Sequence, residues 1–309
     1  MVAVLAGGTG GAKLARGMLD VVGPDELAVV ANTGDDVEVH GVHVSPDPDL
    51  VTYWLADVID ERGWGIAGDT WHAMEARRAG DQAPWFQLGD RDLELCRLRT
   101  DELAAGRRLT EAHAAVVEAC GVRARVLPMS DQPVRTRVRT GGRWRDFQEF
   151  MIVDRAAAPI EAVDVAGAAE ARPSPEVLQA LAGAEAIVIG PSNPVISIGP
   201  ILAVPGMRAA LRESPAPVVA VSPFVAGHAV KGPTEPFMAH AGLPLGAAGV
   251  LRAYEGLLDG VVSDDRPPAA VPALVTDTLM ADAEARRRVA RETLEFARGL
   301  AGAGAEPLP

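Results

Sequence analysis

The chain has 309 residues, of which 48% are hydrophobic, and its formal net charge is −13 at pH 7. So acidic a protein repels phosphate backbones and anionic bilayers, which argues against a general nucleic-acid or membrane-surface binder. The chain has two cysteines, no basic N-terminal leader and no uncharged apolar run of about 20 residues. These features argue against a disulfide framework and a membrane span, and we expect a protein of the reducing cytoplasm.

One local pattern occurs three times: a short apolar run, a turn rich in Gly and Pro, and a helical stretch. The predicted strands are Val2–Ala6, Ala186–Ile189 and Val218–Val221, and the helices follow at about 12–22, 206–212 and 235–240. Short apolar strands that alternate with helices are typical of parallel strands covered on both faces. We therefore predict an α/β fold with a doubly wound, mostly parallel, Rossmann-like sheet, whose binding loops lie at the carboxyl ends of its strands.

The middle of the chain has a different pattern. Residues 50–120 are predicted to be mainly helical, most clearly over Val51–Ile59, Thr70–Arg78 and Glu111–Ala119. Residues 121–165 are predicted to form antiparallel strands over Val122–Leu127, Val134–Thr140 and Arg143–Val153, with a hairpin turn at Gly141-Gly142. We predict a single α/β domain over 1–309, with an inserted helical and β-hairpin subdomain at about 50–165. A last amphipathic helix is expected over Asp282–Leu300.

The first turn, Gly7-Gly8-Thr9-Gly10-Gly11-Ala12-Lys13, follows a strand and opens a helix. Glycines allow close approach of a ligand to the backbone, and the free N–H groups of a helix N-terminus attract an anion. We predict that Gly8, Thr9, Gly10, Gly11 and Lys13 bind a phosphate; the alternative is a structural tight turn. The spacing matches neither a Walker loop nor the G-x-G-x-x-G dinucleotide pattern, which disfavours a nicotinamide-dependent oxidoreductase.

Carboxylates cluster after the second predicted strand, Leu27–Ala31. Asn32-Thr33-Gly34-Asp35-Asp36 follows that strand directly, and Asp47 and Asp49 come shortly afterwards. Close carboxylates repel one another unless a cation lies among them, and such hard oxygen ligands suit Mg²⁺ with substrate phosphates. The alternative is that Asp35 and Asp47 cap turns and helices.

Three further loops contribute candidate binding residues. Trp85-Phe86 precedes Gly89-Asp90-Arg91-Asp92, in which Arg91 is suited to a bidentate contact with a carboxylate or a ring edge. The alternative there is a buried aromatic pair beside a surface ion pair. The loop with Ser192 and Asn193 and the loop with Lys231 follow the second and third repeats, and together with the Gly-rich turn they suggest the walls of a nucleotide diphosphate pocket.

The same motifs, in the same order, resemble those of the 2-phospho-L-lactate transferase family over nearly the whole chain. The matching motifs are Gly7–Lys13, Asn32–Asp36, Pro46-Asp47-x-Asp49, Trp85–Leu93, Leu127–Asp131, Gly190–Pro194, Ser197–Leu202 and Val221-Ser222-Pro223 with Lys231-Gly232-Pro233. Two stretches depart from the usual family pattern. Glu94-Leu95-Cys96 stands where Ala-Thr-His is common, and Pro48 and Leu50 flank Asp49 in place of Leu and Thr. Both departures concern the acceptor site and leave the phosphate loops unchanged.

The resemblance implies a Mg²⁺-dependent, typically dimeric transferase of coenzyme F420 biosynthesis. Such an enzyme moves a phospho-three-carbon acid, 2-phospholactate or phosphoenolpyruvate, from a guanosine diphosphate donor to the ribityl hydroxyl of 7,8-didemethyl-8-hydroxy-5-deazariboflavin, and GMP leaves. The sequence leaves open which acid is carried. An alternative is a non-catalytic regulatory protein that binds a nucleotide or nucleotide sugar, which would not need Asp47, Asp49 and Arg91 together.

The roles expected for individual residues combine the residue chemistry with the resemblance. Asp49 and Asp47 are the predicted catalytic residues, and Asp49 and Arg91 are expected to contact the deazaflavin. Donor and substrate contacts are expected from the Gly-rich turn and from Lys13, Asn32, Ser192, Asn193 and Lys231. The predicted Mg²⁺ ligands are Asp35, Asp36 and Asp47.

Overall fold

The structure is a computed structural model that describes residues 1–80, 84–268 and 271–303. In chain order its elements up to the middle of the chain are β1 (Val2–Ala6), α1 (Gly8–Val22), β2 (Leu27–Ala31), β3 (Val37–Val39), β4 (Val42–Val44), α2 (Pro46–Leu55), α3 (His72–Ala79), α4 (Asp90–Ala104), α5 (Leu109–Ala119), β5 (Arg125–Pro128), β6 (Arg135–Thr140) and β7 (Arg143–Asp146). The remaining elements are α6 (Phe147–Ile152), β8 (Ala162–Ala166), α7 (Pro175–Ala182), β9 (Ala186–Ile189), α8 (Gly199–Ala203), α9 (Met207–Glu213), β10 (Val218–Val221), β11 (Phe224–Val225), β12 (His228–Ala229), α10 (Thr234–His240), α11 (Ala247–Ala253), β13 (Gly260–Ser263), β14 (Ala273–Val275) and α12 (Ala283–Ala303).

Seven strands form the main sheet, in the order β14-β13-β10-β9-β1-β2-β5, and every neighbouring pair is parallel. The predicted doubly wound parallel sheet is therefore confirmed. From β1 the chain extends the sheet in one direction through β2 and β5, and it later extends the other side from β9. The direction changes between β1 and β9, which is where open α/β sheets bind ligands.

Helices cover both faces of this sheet, so its four central strands, β10, β9, β1 and β2, are apolar throughout. Along β1, Ala3 and Leu5 pack into the core beneath α7, α8, α9 and α11. Val2, Val4 and Ala6 point to the opposite face, where α1, α2 and α12 cover them. Because successive residues of a strand face opposite sides, a strand buried on both sides needs apolar residues at every position.

Two strand predictions for the middle of the chain are wrong. The segment predicted as an antiparallel strand over Val122–Leu127 is β5, which pairs in parallel with β2 at the edge of the main sheet. The predicted strand Arg143–Val153 ends at Asp146, and α6 follows it directly. Phe147 and Phe150, three residues apart, share one helix face and pack on Phe237, so tertiary packing favours the helix there.

The small antiparallel sheet has the order β7-β6-β8, so the predicted hairpin of β6 and β7 is present and β8 completes it. The predicted helices of residues 50–120 correspond to α2, α3 and α5 with shifted ends, and α4 lies between the last two. The division into one domain with an insertion at about 50–165 stays a prediction. None of the helices in the described part of the chain is long and apolar enough to cross a membrane.

Candidate active site

The Gly-rich turn after β1 packs directly against the loop after β9. Gly7 donates its backbone N–H to Ser192 Oγ over 3.2 Å. A Cβ atom on Gly10 would lie 2.0 Å from the carbonyl oxygen of Pro191, and one on Gly11 would lie 2.6 Å from Ser192 Oγ. Only glycine, which has no Cβ atom, allows the two loops to approach so closely. The two loops therefore form one continuous wall at the carboxyl ends of β1 and β9.

A first cavity of about 380 Å³ opens in front of this wall. Its lining includes seven residues predicted to bind the donor and two predicted Mg²⁺ ligands. The former are Gly8, Thr9, Gly10, Lys13, Ser192, Asn193 and Lys231, and the latter are Asp35 and Asp47. The predicted binding residues Gly11 and Asn32 are buried and are not in this lining. Asn193 Nδ2 and Thr278 Oγ1 are buried and have no hydrogen-bond partner within the described residues. Both residues line the cavity, so these two atoms are available to a ligand.

Cationic side chains lie on the side of this cavity nearest α1 and α12. Lys13 Nζ donates to the carbonyl oxygen of Met280 over 3.2 Å. Burial lowers the pKa of Lys13, and the charges of Arg286 and Lys231 lower it further. Mutually repelling cations in a partly desolvated site are stabilised by an anion, so this side of the cavity suits a phosphate.

Asp35 and Asp47 also line this cavity, and one amide side chain holds both of them. Asn32 Nδ2 donates to Asp47 Oδ2 over 2.9 Å and to Asp35 Oδ1 over 3.2 Å. Gly8 donates its backbone N–H to Asp47 Oδ1 over 2.7 Å. Burial raises the pKa of Asp47 to about 6, and burial together with the charge of Asp47 raises the pKa of Asp35 well above its usual value. Two buried carboxylates so close together fit a divalent cation, which would offset their repulsion.

Asp36, the third predicted Mg²⁺ ligand, forms its hydrogen bonds with other residues than this pair. Its Oδ1 accepts from Ser45 Oγ over 2.7 Å, and its Oδ2 is 3.0 Å from His43 Nε2. It is absent from the described residues that line the cavity. Both of its oxygens are already hydrogen-bonded, so the structure groups Asp35 with Asp47 and leaves Asp36 in a separate contact with His43 and Ser45.

A second cavity, of about 540 Å³, adjoins the first. It has an aromatic wall made of Tyr53, Trp64, Trp85, Phe86 and Phe147, together with the carboxylates Asp49 and Asp92. The rings of Trp85 and Phe86 lie edge to face, with centroids 5.5 Å apart. The two cavities share lining residues, namely Thr9, Asp35, Asp47, Phe147, Met151 and Lys231. They therefore meet at the carboxylate pair.

Asp49 lies at the wall of the second cavity with one oxygen engaged and one free. Its Oδ1 forms a close ion pair with Arg99, and its Oδ2 is buried without a hydrogen-bond partner in the described ranges. Burial raises the pKa of Asp49, and the charge of Arg99 opposes this effect. Asp49 lines the cavity, and Oδ2 is the carboxylate oxygen that retains its capacity to accept a hydrogen bond.

Sequence reasoning assigned no role to Asp92, Tyr53 or Arg99. Tyr53 donates its hydroxyl to Asp92 Oδ1 over 2.8 Å, and burial raises the pKa of Asp92 to about 7. The position of Asp92 beside Arg91 in an aromatic and charged loop was a usable signal. No local signal marks Arg99, because only the packing of α4 against the segment that carries Asp49 brings the two together.

Arg91, by contrast, lies outside the second cavity. Its backbone N–H donates to Asp69 Oδ1 over 2.9 Å in the first turn of α4, and its side chain is exposed. Arg91 is absent from the described lining of both cavities. The predicted contact of Arg91 with the acceptor stays a prediction.

The fold and the site together define a class: an α/β protein with a glycine-rich anion site and an aromatic cavity that meet at paired carboxylates. The sequence model of the 2-phospho-L-lactate transferase CofD family matches residues 2–294. The chain belongs to this family of transferases.

Relatives of known name agree with this assignment. The chain is 41% identical to the phosphoenolpyruvate transferase of Kitasatospora aureofaciens, over 96% of this chain and 97% of that protein. It is 38% identical to the 2-phospho-L-lactate transferase of Methanosarcina mazei, over 93% and 97% of the two chains. A crystal structure of a UPF0052-family protein from Bacillus halodurans has the same fold, with a TM-score of 0.59, 19% identity and coverage of 95% and 98%.

Proposed function

We propose that this protein transfers a phospho-three-carbon acid, 2-phospholactate or phosphoenolpyruvate, from a guanosine diphosphate donor to 7,8-didemethyl-8-hydroxy-5-deazariboflavin in coenzyme F420 biosynthesis. The observation that carries the proposal is the meeting of an anion-binding cavity and an aromatic cavity at Asp35 and Asp47. Relatives that match nearly the whole chain are named phosphoenolpyruvate transferase and 2-phospho-L-lactate transferase, which supports the same chemistry here.

The first cavity is assigned to the donor. The start of α1 offers backbone N–H groups and a positive helix end to a diphosphate. Lys13 and Lys231 add charge, and the free Nδ2 of Asn193 adds a donor. A nucleoside diphosphate needs such donors and cations around its phosphates, because its own charge is not neutralised in a protein interior.

The second cavity is assigned to the acceptor. A deazaflavin ring is planar and largely apolar, and aromatic side chains stack on such rings or meet them edge to face. Trp64, Trp85 and Phe86 supply that surface, and the cavity of about 540 Å³ is large enough for a ring system of drug-like size. The ribityl chain would extend from the ring toward Asp49 and the donor cavity.

Asp35 and Asp47 would hold Mg²⁺, which when bound neutralises negative charge on the diphosphate. Asn32 and the Gly8 backbone hold these carboxylates in place. Asp49 accepts the proton of the terminal ribityl hydroxyl at its free Oδ2. That hydroxyl oxygen bonds to the phosphorus bearing the three-carbon acid, the bond from this phosphorus to the GMP oxygen breaks, and GMP leaves.

The decisive experiment is to incubate the protein with the deazaflavin, one candidate donor at a time and Mg²⁺, and to identify products by mass spectrometry. We expect GMP and one phosphoacid-deazaflavin adduct in equal amounts. Binding of guanine nucleotide without any adduct would favour the alternative, a non-catalytic nucleotide-binding regulatory protein. The preferred donor identifies the acid. A homodimer also stays a prediction, to be measured by light scattering.

A further inference from the structure

Arg99 is a completely buried arginine on α4, with 0% of its surface exposed. Charged guanidinium groups are almost never fully buried unless they are paired, because losing their hydration is costly. The partners of Arg99 therefore indicate what it does. Two of them lie on the stretch from β4 to the first turns of α2, which carries Asp47 and Asp49, and a third lies on α5.

Arg99 contacts this segment at two points directly. Its Nη2 forms the close ion pair with Asp49 Oδ1, and its Nη1 donates to the carbonyl oxygen of His43 over 3.0 Å. One carboxylate oxygen of Asp49, one of Asp92 and the Sγ atom of Cys96 lie within 4.8 Å of one another. The Arg99 guanidinium places a positive charge beside these two carboxylates. Arg99 thus holds one oxygen of Asp49 in the protein interior.

A third contact runs through His113 on α5. Arg99 Nη2 is 3.5 Å from His113 Nδ1, and His113 Nε2 is 3.2 Å from Thr52 Oγ1, which donates to the carbonyl oxygen of Pro48 over 2.8 Å. Burial and the charge of Arg99 lower the pKa of His113 well below its usual value, so the ring is neutral. A neutral imidazole that accepts a hydrogen bond at Nδ1 carries its proton at Nε2. Arg99 can therefore donate to His113, His113 to Thr52, and Thr52 to the carbonyl oxygen of Pro48.

We propose that Arg99, together with His113 and Thr52, is a positioning residue that keeps the free Oδ2 of Asp49 directed at the acceptor hydroxyl. The inference rests on the proposed function, because it assumes that Asp49 is the proton acceptor. Arg99 and its network hold the other oxygen of this carboxylate and two backbone carbonyls that precede it, those of His43 and Pro48. A lysine at position 99 keeps the charge but cannot make all three contacts, because it lacks the planar fork of the guanidinium.

The test compares Arg99→Lys with the wild type and with the control Arg97→Lys, an exposed position on the same helix. We expect Arg99→Lys to lower kcat about 10- to 100-fold, since small misplacement of a catalytic group has effects of this size. Affinity for GDP with Mg²⁺ should stay the same, and Arg97→Lys should match the wild type. In an Asp49→Asn background, Arg99→Lys should change kcat by less than about twofold, because it acts through Asp49.

The proposal is overturned if Arg99→Lys keeps the wild-type kcat, or if its full effect persists in the Asp49→Asn background, as a general packing defect would. If Arg99→Lys does not fold, Thr52→Val decides: kcat should fall several-fold with unchanged GDP affinity, and an unchanged kcat overturns the proposal. A second measurement does not depend on activity. Crystal structures of the wild type and of whichever variant folds, Arg99→Lys or Thr52→Val, should show the Asp49 carboxylate in different positions. A wild-type protein that forms no adduct refutes the proposed function alone, and an unmoved Asp49 refutes the positioning role.

Discussion

At the scale of single residues, four aspartates near the site differ because their surroundings differ. Asp47 accepts hydrogen bonds from Gly8 and Asn32 where the two cavities meet. Asp36 is hydrogen-bonded to His43 and Ser45 instead. Asp49 keeps one free oxygen, and Asp92 receives the Tyr53 hydroxyl. The partners of each aspartate thus decide which of its oxygens are engaged and which stay unpaired, and the roles that we propose for Asp47 and Asp49 rest on this difference.

Asp49→Asn should lower the rate of transfer far more than it weakens donor binding. The amide keeps the size of the side chain but does not accept a proton as a carboxylate does, and such general-base help is commonly worth about 10²- to 10⁴-fold. The measurement is kcat for adduct formation beside the affinity for GDP with Mg²⁺. Asp25→Asn, at an exposed ion pair with Arg123, is the control. Equal turnover in Asp49→Asn and wild type would remove this role from Asp49.

Asp92→Asn should make the protein more stable at high pH. Burial raises the pKa of Asp92 from 3.8 to about 7. Below about pH 4, Asp92 is protonated in both the folded and the unfolded state, so it does not change the free energy of unfolding. Because the folded state binds the proton more tightly, that free energy decreases as the pH rises from about 4 to about 7. Since three pKa units correspond to ~4 kcal/mol, the variant should gain up to that amount above pH 7. Urea unfolding at pH 4 to 8 measures it, and a gain that does not depend on pH would contradict the argument.

At the scale of secondary-structure elements, the active site depends on the contact between the loops after β1 and β9. The predicted strand–turn–helix pattern was confirmed for β1 and α1, and for β9 with the loop that follows it. The turn between β1 and α1 proved tighter than expected, because the helix already begins at Gly8. This early start brings the helix N-terminus to the first cavity, which we assign to the donor.

Gly10→Ala should disable donor binding. The new methyl carbon would lie 2.0 Å from the carbonyl oxygen of Pro191, so the two loops would have to separate. Overpacking of this kind costs about 1–3 kcal/mol, and the displaced loop would lose its phosphate contacts. Gly299→Ala on α12 is the matched control, since its Cβ meets nothing within 4 Å, and an Ala in a helix interior stabilises by about 1 kcal/mol.

Thermal unfolding with and without GDP and Mg²⁺ distinguishes the two glycine variants. Gly10→Ala should have a lower melting temperature and no nucleotide-dependent shift, and Gly299→Ala should keep the full shift. A Gly10→Ala protein that binds GDP as tightly as the wild type would show that the contact of the two loops does not form the donor site.

At the scale of the whole molecule, the strand order brings distant parts of the chain to one edge. β1 and β9 are neighbours although the paired residues Val2 and Ala186 are 184 positions apart in sequence. Ser192 and Asn193 therefore face the same cavity as Gly8 and Lys13. Loops at the ends of parallel strands meet at one edge, which explains why motifs from the whole chain form one site.

Ligand binding to this assembled site should stabilise the whole fold. A ligand at about 100 times its Kd stabilises the folded state by ~2.7 kcal/mol, which for a chain of this size raises the melting temperature by roughly 4 °C. We expect that shift with GDP and Mg²⁺ together, and a clearly smaller one with GDP and EDTA, because Asp35 and Asp47 would then repel the diphosphate. No shift with any guanine nucleotide would refute the donor assignment, and an equal shift in EDTA would refute the cation site.

The sequence by itself determined the parallel strands, the glycine turn, the family, and the presence of Asp47, Asn193 and Lys231 among the cavity-lining residues. These features are local, because apolar runs and turn residues fix the backbone nearby and parallel strands bring their loops to one edge. Only the tertiary structure decided that Asp36 is bonded to His43 and Ser45 and that Arg99 pairs with Asp49. It also turned residues 147–152 into a helix and moved β5 into the main sheet. Burial and side-chain partners depend on residues far away in sequence, which no local pattern encodes.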